Sequence, residues 1–140
     1  MKKRIAIILF IILLIVIIML FIINMLFSKT LTCIKTNDGP LKNWYQEYKF
    51  TGYGNFVKKK ERYAKIKDNE RHEIIDKYYD MLKNDSEVYD IKIIDNTIEW
   101  RSKTSVANSK IFDNYKDSDG NVLFSKIKKF YEDTGYTCNY

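Results

Sequence analysis

The sequence predicts an α+β fold, in which an antiparallel sheet of hairpins carries two packed amphipathic helices and is preceded by one transmembrane helix. Three observations lead to this prediction. An uncharged apolar segment occupies Ile5–Ile23. Several later segments alternate apolar and polar residues, which is the spacing of a strand. Two further segments repeat apolar residues at helical spacing. A chain of 140 residues leaves room for one small domain after the apolar segment.

The apolar segment predicts a membrane anchor. A helix over Ile5–Phe27 would be about 34 Å long, enough to cross the roughly 30 Å hydrocarbon core of a bilayer. Three basic residues precede it, and the positive-inside rule then places the N-terminus in the cytoplasm. We therefore interpret residues 1–27 as a cytoplasmic N-terminus with a signal anchor of the cell membrane. Residues 28–140 follow as an extracytoplasmic domain.

Two other interpretations of the N-terminus stay open. A cleaved signal peptide is disfavoured because the apolar segment is longer than usual and no A-x-A-like cleavage site follows it. Lipid modification of Cys33 is disfavoured because Leu31-Thr32 does not provide the small residues that lipoproteins place before that cysteine.

The charge of the domain does not indicate nucleic-acid binding. The chain has 24 basic and 18 acidic residues, and three of the basic ones precede the span, so the domain keeps a net charge of only +3. Positive and negative residues are interspersed, with no basic stripe of the kind that binds phosphate backbones.

The strand predictions follow the alternation of residues. Residues 28–43 are interpreted as a membrane-proximal stalk that leads into the fold, with a turn at Asp38-Gly39-Pro40. Trp44–Phe50 reads as a strand. The segment from Phe56 to Lys67 reads as the next strand, with a lysine-rich helix as the competing interpretation. Val88–Ile94 and Thr97–Ser105 form a second hairpin, and Tyr136–Cys138 is a short terminal strand.

Two helices are predicted. The first opens at Asp68-Asn69-Glu70, where Asp68 or Asn69 caps it, and its apolar stripe runs to Leu82. The second covers about Val122 to Asp133 and ends at Gly135, which occupies the left-handed position after the helix. The segment Val106–Tyr115 has no clear periodicity.

The two cysteines, Cys33 and Cys138, are predicted to form a disulfide. An oxidising compartment favours pairing, and two cysteines permit one pair. Two unpaired buried thiols are the alternative. Nothing resembles Cys-x-x-Cys, so we expect no redox catalysis.

No catalytic or metal constellation stands out in the sequence. Asp117-Ser118-Asp119-Gly120 resembles part of a calcium loop, but Lys126 stands where the bidentate glutamate belongs, so a surface turn is the better interpretation. His72 is the only histidine and is expected to be exposed. No spacing singles out a catalytic pair among the scattered carboxylates, which are Glu47, Glu61, Glu73, Asp76, Asp80, Glu87, Asp90, Asp95 and Glu99. We expect no cofactor and no metal.

The densest basic patch is Lys58, Lys59, Lys60 and Arg62. It is a candidate contact for anionic headgroups or envelope polymers. A solvated edge strand, where lysines discourage aggregation, is the other interpretation. The abundant aromatic residues suggest core packing more than a carbohydrate-stacking surface.

The order of these features resembles the YehR-like lipoprotein family, small extracytoplasmic domains of low-GC Gram-positive bacteria. The resemblance covers about residues 31–138 and rests on "LTC" after the membrane segment and on a helix ending in "GYTC". It implies an α+β domain with helices packed on an antiparallel sheet, and it implies no catalytic residues. Cys33 departs from the family because it lacks a lipobox.

Together these observations predict a non-enzymatic binding or interaction module, tethered to the membrane at the bacterial cell envelope. Its partner would be an envelope polymer or a protein. A small envelope hydrolase that acts on wall polymers through carboxylates is the alternative.

Overall fold

A computed structural model describes residues 2–38, 42–68 and 73–140, and it confirms the α+β prediction. The first helix, α1, spans Lys2–Phe27. Its apolar segment, Ile5–Ile23, is not buried by any other part of the described residues, and it is long and apolar enough to cross a membrane.

Seven strands within the described residues form one antiparallel sheet. They are β1 (Ser28–Asp38), β2 (Lys42–Tyr53), β3 (Phe56–Asp68), β4 (Val88–Ile94), β5 (Thr97–Ser105), β6 (Val122–Leu123) and β7 (Thr137–Asn139). The order across the sheet is β4-β5-β3-β2-β1-β7, and β6 pairs with the first residues of β3. The predicted strand at β3 is thus confirmed over its helical alternative.

Both remaining helices, α2 (Glu73–Leu82) and α3 (Phe124–Asp133), pack on one face of the sheet. We call this the covered face. It has two apolar clusters. One lies under α3 and includes Leu31, Phe50 and Ile127. The other lies under α2 and includes Ile66, Ile75 and Trp100. The pairing register places the sheet residues of both clusters on the same side, as the alternation of strand side chains requires.

The segment expected as a stalk is a strand instead. β1 begins immediately after α1, pairs with β2 along its whole length, and buries Leu31 and Cys33. The segment without clear periodicity contains two short 3₁₀ helices, Val106–Asn108 and Lys110–Tyr115. They bury Val106 and Phe112. Val122 and Leu123 lie in β6, so the last helix starts two residues later than predicted.

Some sequence predictions fall outside the described residues. These are the turn at Gly39 and Pro40, the cap at Asn69, and the exposure of His72.

The tyrosine stripe of α2 is only partly buried, since Tyr78 packs on its cluster whereas Tyr79 is 41% exposed.

The end of α3 explains how the C-terminus joins the sheet. Gly135 has φ +86°, as predicted, and its N–H donates to Glu132 O while the Tyr136 N–H donates to Tyr131 O. This pair of hydrogen bonds is a Schellman motif, and it turns the chain out of the helix. β7 then pairs with β1, with Cys33 opposite Cys138, and the two form a disulfide with Cα atoms 4.1 Å apart.

Candidate functional site

The face of the sheet opposite α2 and α3 is the candidate site. We call it the open face, because no helix of the described residues packs on it. Three rows of side chains cross β2, β3 and β5 there: Tyr45–Lys65–Glu99, Glu47–Tyr63–Arg101 and Lys49–Glu61–Lys103.

Neighbours in these rows contact one another. Lys65 Nζ lies 3.2 Å from Glu99 Oε1, and Lys103 Nζ lies 3.4 Å from Glu61 Oε1. The Arg101 guanidinium lies 5.5 Å from the centre of the Tyr63 ring. Exposed pairs of this kind add little stability, typically below about 1 kcal/mol each. The open face is therefore a surface of polar and aromatic groups, most of them partly exposed, that contact one another only weakly.

A shallow cavity of about 410 Å³ lies on the open face. Its lining residues are Glu47, Lys49, Glu61, Arg62, Tyr63, Tyr89 and Arg101. Among residues 2–38, 42–68 and 73–140, neither Lys49 nor Arg101 forms an ion pair, although Arg101 contacts the Tyr63 ring. Both positive charges can therefore interact with an acidic or hydroxyl group of a ligand. Tyr89 is 61% exposed and offers its ring to solvent.

Tyr45 and Tyr63 are neutral phenols at physiological pH, because their pKa values are raised. Burial raises the pKa of Tyr45 to about 12, and the hydrogen bond that Tyr45 donates to Glu47 Oε2, 2.7 Å long, adds to the effect. Burial also raises the pKa of Tyr63, with a further contribution from Glu99. Both hydroxyls therefore stay protonated and act as hydrogen-bond donors.

The four residues of the basic patch predicted from the sequence lie in different environments in the structure. Lys58 and Lys59 are exposed, and Lys58 Nζ donates to Asn121 Oδ1 over 2.7 Å. Lys60 and Arg62 lie on the covered face, where strand alternation places them together. The four residues thus do not form one continuous surface.

Arg62 lies between two aromatic rings on the covered face. Its guanidinium carbon is 5.4 Å from the centre of the Tyr48 ring and 5.3 Å from that of Trp100. Tyr48 packs on the cluster under α3 and Trp100 belongs to the cluster under α2, so Arg62 joins the two halves of the core. Cation–π contacts at such distances contribute about 0.5–2 kcal/mol each, depending on desolvation.

Lys60 is the most deeply buried lysine of the described residues, at 8% exposure, and no ion pair or hydrogen bond of its side chain is seen there. Burial lowers the pKa of its ammonium group, while the carboxylates of Glu87 and Asp85 oppose the shift and Arg62 reinforces it. Lys60 therefore destabilises the folded state when charged.

Replacing Lys60 is expected to stabilise the protein in a pH-dependent way. Because the folded-state pKa lies below the unfolded one, the unfolded chain binds more protons between the two values, and wild-type stability rises with pH across that window. Lys60→Met should thus raise the free energy of unfolding by about 1 kcal/mol at pH 7. The gain should shrink as the pH approaches about 10. Urea unfolding in lipid nanodiscs, followed by Trp44 and Trp100 fluorescence, measures it.

Lys59→Met is the matched control, because Lys59 is the adjacent residue, is exposed and points to the opposite face. It should change stability by less than about 0.5 kcal/mol at every pH. A Lys60→Met protein that is less stable than wild type at pH 7, or a gain that does not vary with pH, contradicts the interpretation.

The remaining candidates from the sequence have structural roles. Asp117 Oδ1 accepts hydrogen bonds from the backbone N–H groups of Asn121 and Asp119, at 2.8 and 3.0 Å, and these bonds, led by that from Asn121, lower its pKa. The carboxylate thus holds its own turn, as the sequence suggested. Of the nine scattered carboxylates, the structure brings Glu47, Glu61, Asp90 and Glu99 together on the open face.

Sequence reasoning did not identify Tyr45, Tyr63, Tyr89 and Arg101 as a group. The available signal was alternation, since Tyr45 and Tyr63 stand at the positions between the core residues of their strands. The register that unites them joins segments far apart in the chain, so it becomes visible only in the fold.

No family model, no curated protein and no solved structure matches this chain in comparisons with known proteins.

Proposed function

We propose that this protein is a non-enzymatic binding module, tethered to the outer side of the cell membrane, whose open face binds an extended polysaccharide of the cell envelope. The observation that carries the proposal is the cavity on the open face. Its lining combines tyrosine rings, two cations that form no ion pair in the described residues, and two carboxylates: Tyr63, Tyr89, Lys49, Arg101, Glu47 and Glu61. The proposal keeps the function expected from the sequence and names the surface responsible.

The chemistry of the cavity suits a glycan. Tyr63 and Tyr89 offer aromatic rings, which stack well on the apolar faces of sugars and cost little conformational entropy when they bind. Glu47 and Glu61 accept hydrogen bonds from hydroxyl groups, while Lys49 and Arg101 donate to hydroxyls or to acidic substituents. A sheet face is also long enough for several sugar units to lie across it.

Two features support the extracytoplasmic location, and a third concerns how close the sheet is to the membrane. Basic residues precede the candidate span, which favours a cytoplasmic N-terminus. The disulfide joins β1 and β7, and such bonds persist in oxidising compartments outside the cytoplasm. β1 follows α1 directly, so the sheet lies next to the membrane.

The hydrolase alternative rests on one observation. Glu47 and Glu61 line the same cavity from diagonal positions on neighbouring strands, and residues in that relation are typically roughly 7–8 Å apart. Inverting glycosidases separate their two carboxyl groups by about 6.5–9.5 Å. However, Glu47 accepts a hydrogen bond from Tyr45 and Glu61 pairs with Lys103, so neighbours already engage both groups. This engagement disfavours catalysis, whereas each carboxylate keeps lone pairs that can accept a hydrogen bond from a ligand hydroxyl.

Co-sedimentation with purified insoluble peptidoglycan tests the proposal. The full chain in lipid nanodiscs should sediment with the polymer. The double variant Tyr63→Ala, Arg101→Ala should bind at least about tenfold more weakly, as expected when a stacked aromatic and cation are lost from the centre of an interface. Soluble sugar released over time would instead indicate the hydrolase.

The matched control is Tyr79→Ala, Lys83→Ala. These residues form an equivalent exposed contact on and just after α2, with the ammonium 5.8 Å from the ring centre, but on the other side of the sheet. This variant should bind like wild type. Failure of the wild-type chain to sediment, or equal loss in both variants, would refute the open face as the binding site.

A further inference from the structure

The β2–β3 turn contacts the end of the candidate membrane span. β1 starts at the residue after Phe27, and Ser28 pairs with Tyr53 at the end of β2. The Gly54 N–H donates to Phe27 O over 3.2 Å. The last carbonyls of a helix lack partners within that helix, so this bond satisfies one of them. The turn is therefore fixed against the helix end.

The conformation of this turn depends on two glycines. Gly54 has φ +57°, which favours glycine, and a Cβ on Gly52 would lie 2.0 Å from Phe56 O. Gly52 thus permits the close approach of β2 and β3 at the irregularity in their pairing. The two glycines therefore fix the conformation of the turn and the positions of the side chains that flank it.

Aromatic side chains flank the turn and face solvent. Tyr53 is 50% exposed and Phe56 is 38% exposed. Tyr140 directly follows β7, the strand next to β1, and is 64% exposed. The ammonium groups of Lys29 and Lys128 lie 5.8 and 5.2 Å from the centre of its ring. Aromatic rings concentrate at membrane–water interfaces, and lysines there attract anionic headgroups.

We propose that the β2–β3 turn inserts Tyr53 and Phe56 into the interface of the bilayer that α1 crosses. The lipid is the occupant because the turn is hydrogen-bonded to Phe27, the final residue of α1, four positions beyond the apolar segment Ile5–Ile23, so these two side chains start close to the membrane surface. The proposal rests on α1 being a span and is independent of what the open face binds. It adds a second attachment to the anchor and limits tilting of the domain.

Exposed apolar side chains also flank a turn at the other end of the sheet. Ile93 and Ile94, beside the β4–β5 turn, are 45% and 60% exposed. That turn bonds to Asp68 at the opposite end of β3, roughly 40 Å from Phe56 at about 3.3 Å per residue. The two turns therefore form a matched pair, one beside the membrane and one remote from it.

Quenching by brominated lipids tests the proposal on the full chain in nanodiscs. Phe56→Trp adds a reporter at the proposed contact, and Ile94→Trp adds one at the remote turn. The native Trp44 and Trp100 pair with Ile66 and Ala64 on β3, away from the β2–β3 turn. Their emission is therefore a constant background that brominated lipids should not quench. Lipids brominated near the headgroup should quench the added emission of Phe56→Trp and leave that of Ile94→Trp unchanged.

Phe21→Trp, within the apolar segment, reports on the span itself and should be quenched by lipids brominated deep in the acyl chain. Quenching of Phe21→Trp without quenching of Phe56→Trp would overturn the proposed contact. Equal quenching of Phe56→Trp and Ile94→Trp would overturn it as well, since the contact would then not be specific to the β2–β3 turn. An unquenched Phe21→Trp would remove the span on which the proposal rests.

Discussion

Loss of the Cys33–Cys138 disulfide is expected to lower the free energy of unfolding by about 4–5 kcal/mol. The bond joins residues 105 positions apart, and closing a loop of that length restricts the unfolded chain by an amount of this size in the chain-entropy model. It also holds β7, a strand of only three residues at the edge of the sheet. Urea unfolding of Cys33→Ala, Cys138→Ala in nanodiscs, followed by tryptophan fluorescence, measures the loss.

Reduced wild-type protein separates the cross-link from the packing of the sulfur atoms. Both cysteines are buried, so alanine also removes apolar contacts, whereas reduction keeps the sulfur atoms in place. We expect most of the loss on reduction alone, and no effect of reductant on the double variant. A reduced protein within about 1 kcal/mol of the oxidised one would show that the disulfide does not stabilise the fold.

Phe50→Ala should lower the free energy of unfolding by about 3–5 kcal/mol. Phe50 is fully buried in β2, and its ring centre lies 5.2 Å from that of Tyr131 on α3 and 6.0 Å from that of Phe112 in the second 3₁₀ helix. Removing the ring leaves a cavity where the sheet meets both elements. Urea unfolding with Trp44 and Trp100 as probes gives the value.

Phe56→Ala is the control for Phe50, because both phenylalanines flank the same turn but Phe56 is partly exposed. In detergent micelles it should cost about 1 kcal/mol or less. If Phe50→Ala cost no more than this control, the aromatic cluster would not be the centre of the core.

The sequence was sufficient to predict the elements with clean periodicity. β2, β4, β5, α2 and α3 alternate or repeat apolar residues clearly, and Gly135 identified the end of α3. β3 was predicted as a strand with a helix as the competing interpretation, because lysines occupy both faces of its first half. β1 was missed because it has only two buried residues, Leu31 and Cys33, and Ile34 follows them in the opposite register. The two-residue strand β6 is too short to show any period.

The candidate site was less accessible from the sequence, for two physical reasons. Lys58–Lys60 reads as one patch, yet strand geometry sends Lys59 and Lys60 to opposite faces. The open face depends on β5 pairing with β3 across the intervening helix, which brings Arg101 beside Tyr63. Local patterns determine which residues point the same way along a strand, but the register between strands is a property of the whole fold.

Ligand-induced changes in the tyrosine ring signals test the central claim most directly, because tyrosines mark both faces of the sheet. Soluble glycan strands from peptidoglycan would be titrated into the full chain in nanodiscs, with tyrosine rings selectively labelled for NMR. The open face predicts perturbation of Tyr45, Tyr63 and Tyr89. Perturbation of Tyr48, Tyr131 and Tyr136 on the covered face, with the other three unchanged at saturation, would contradict it.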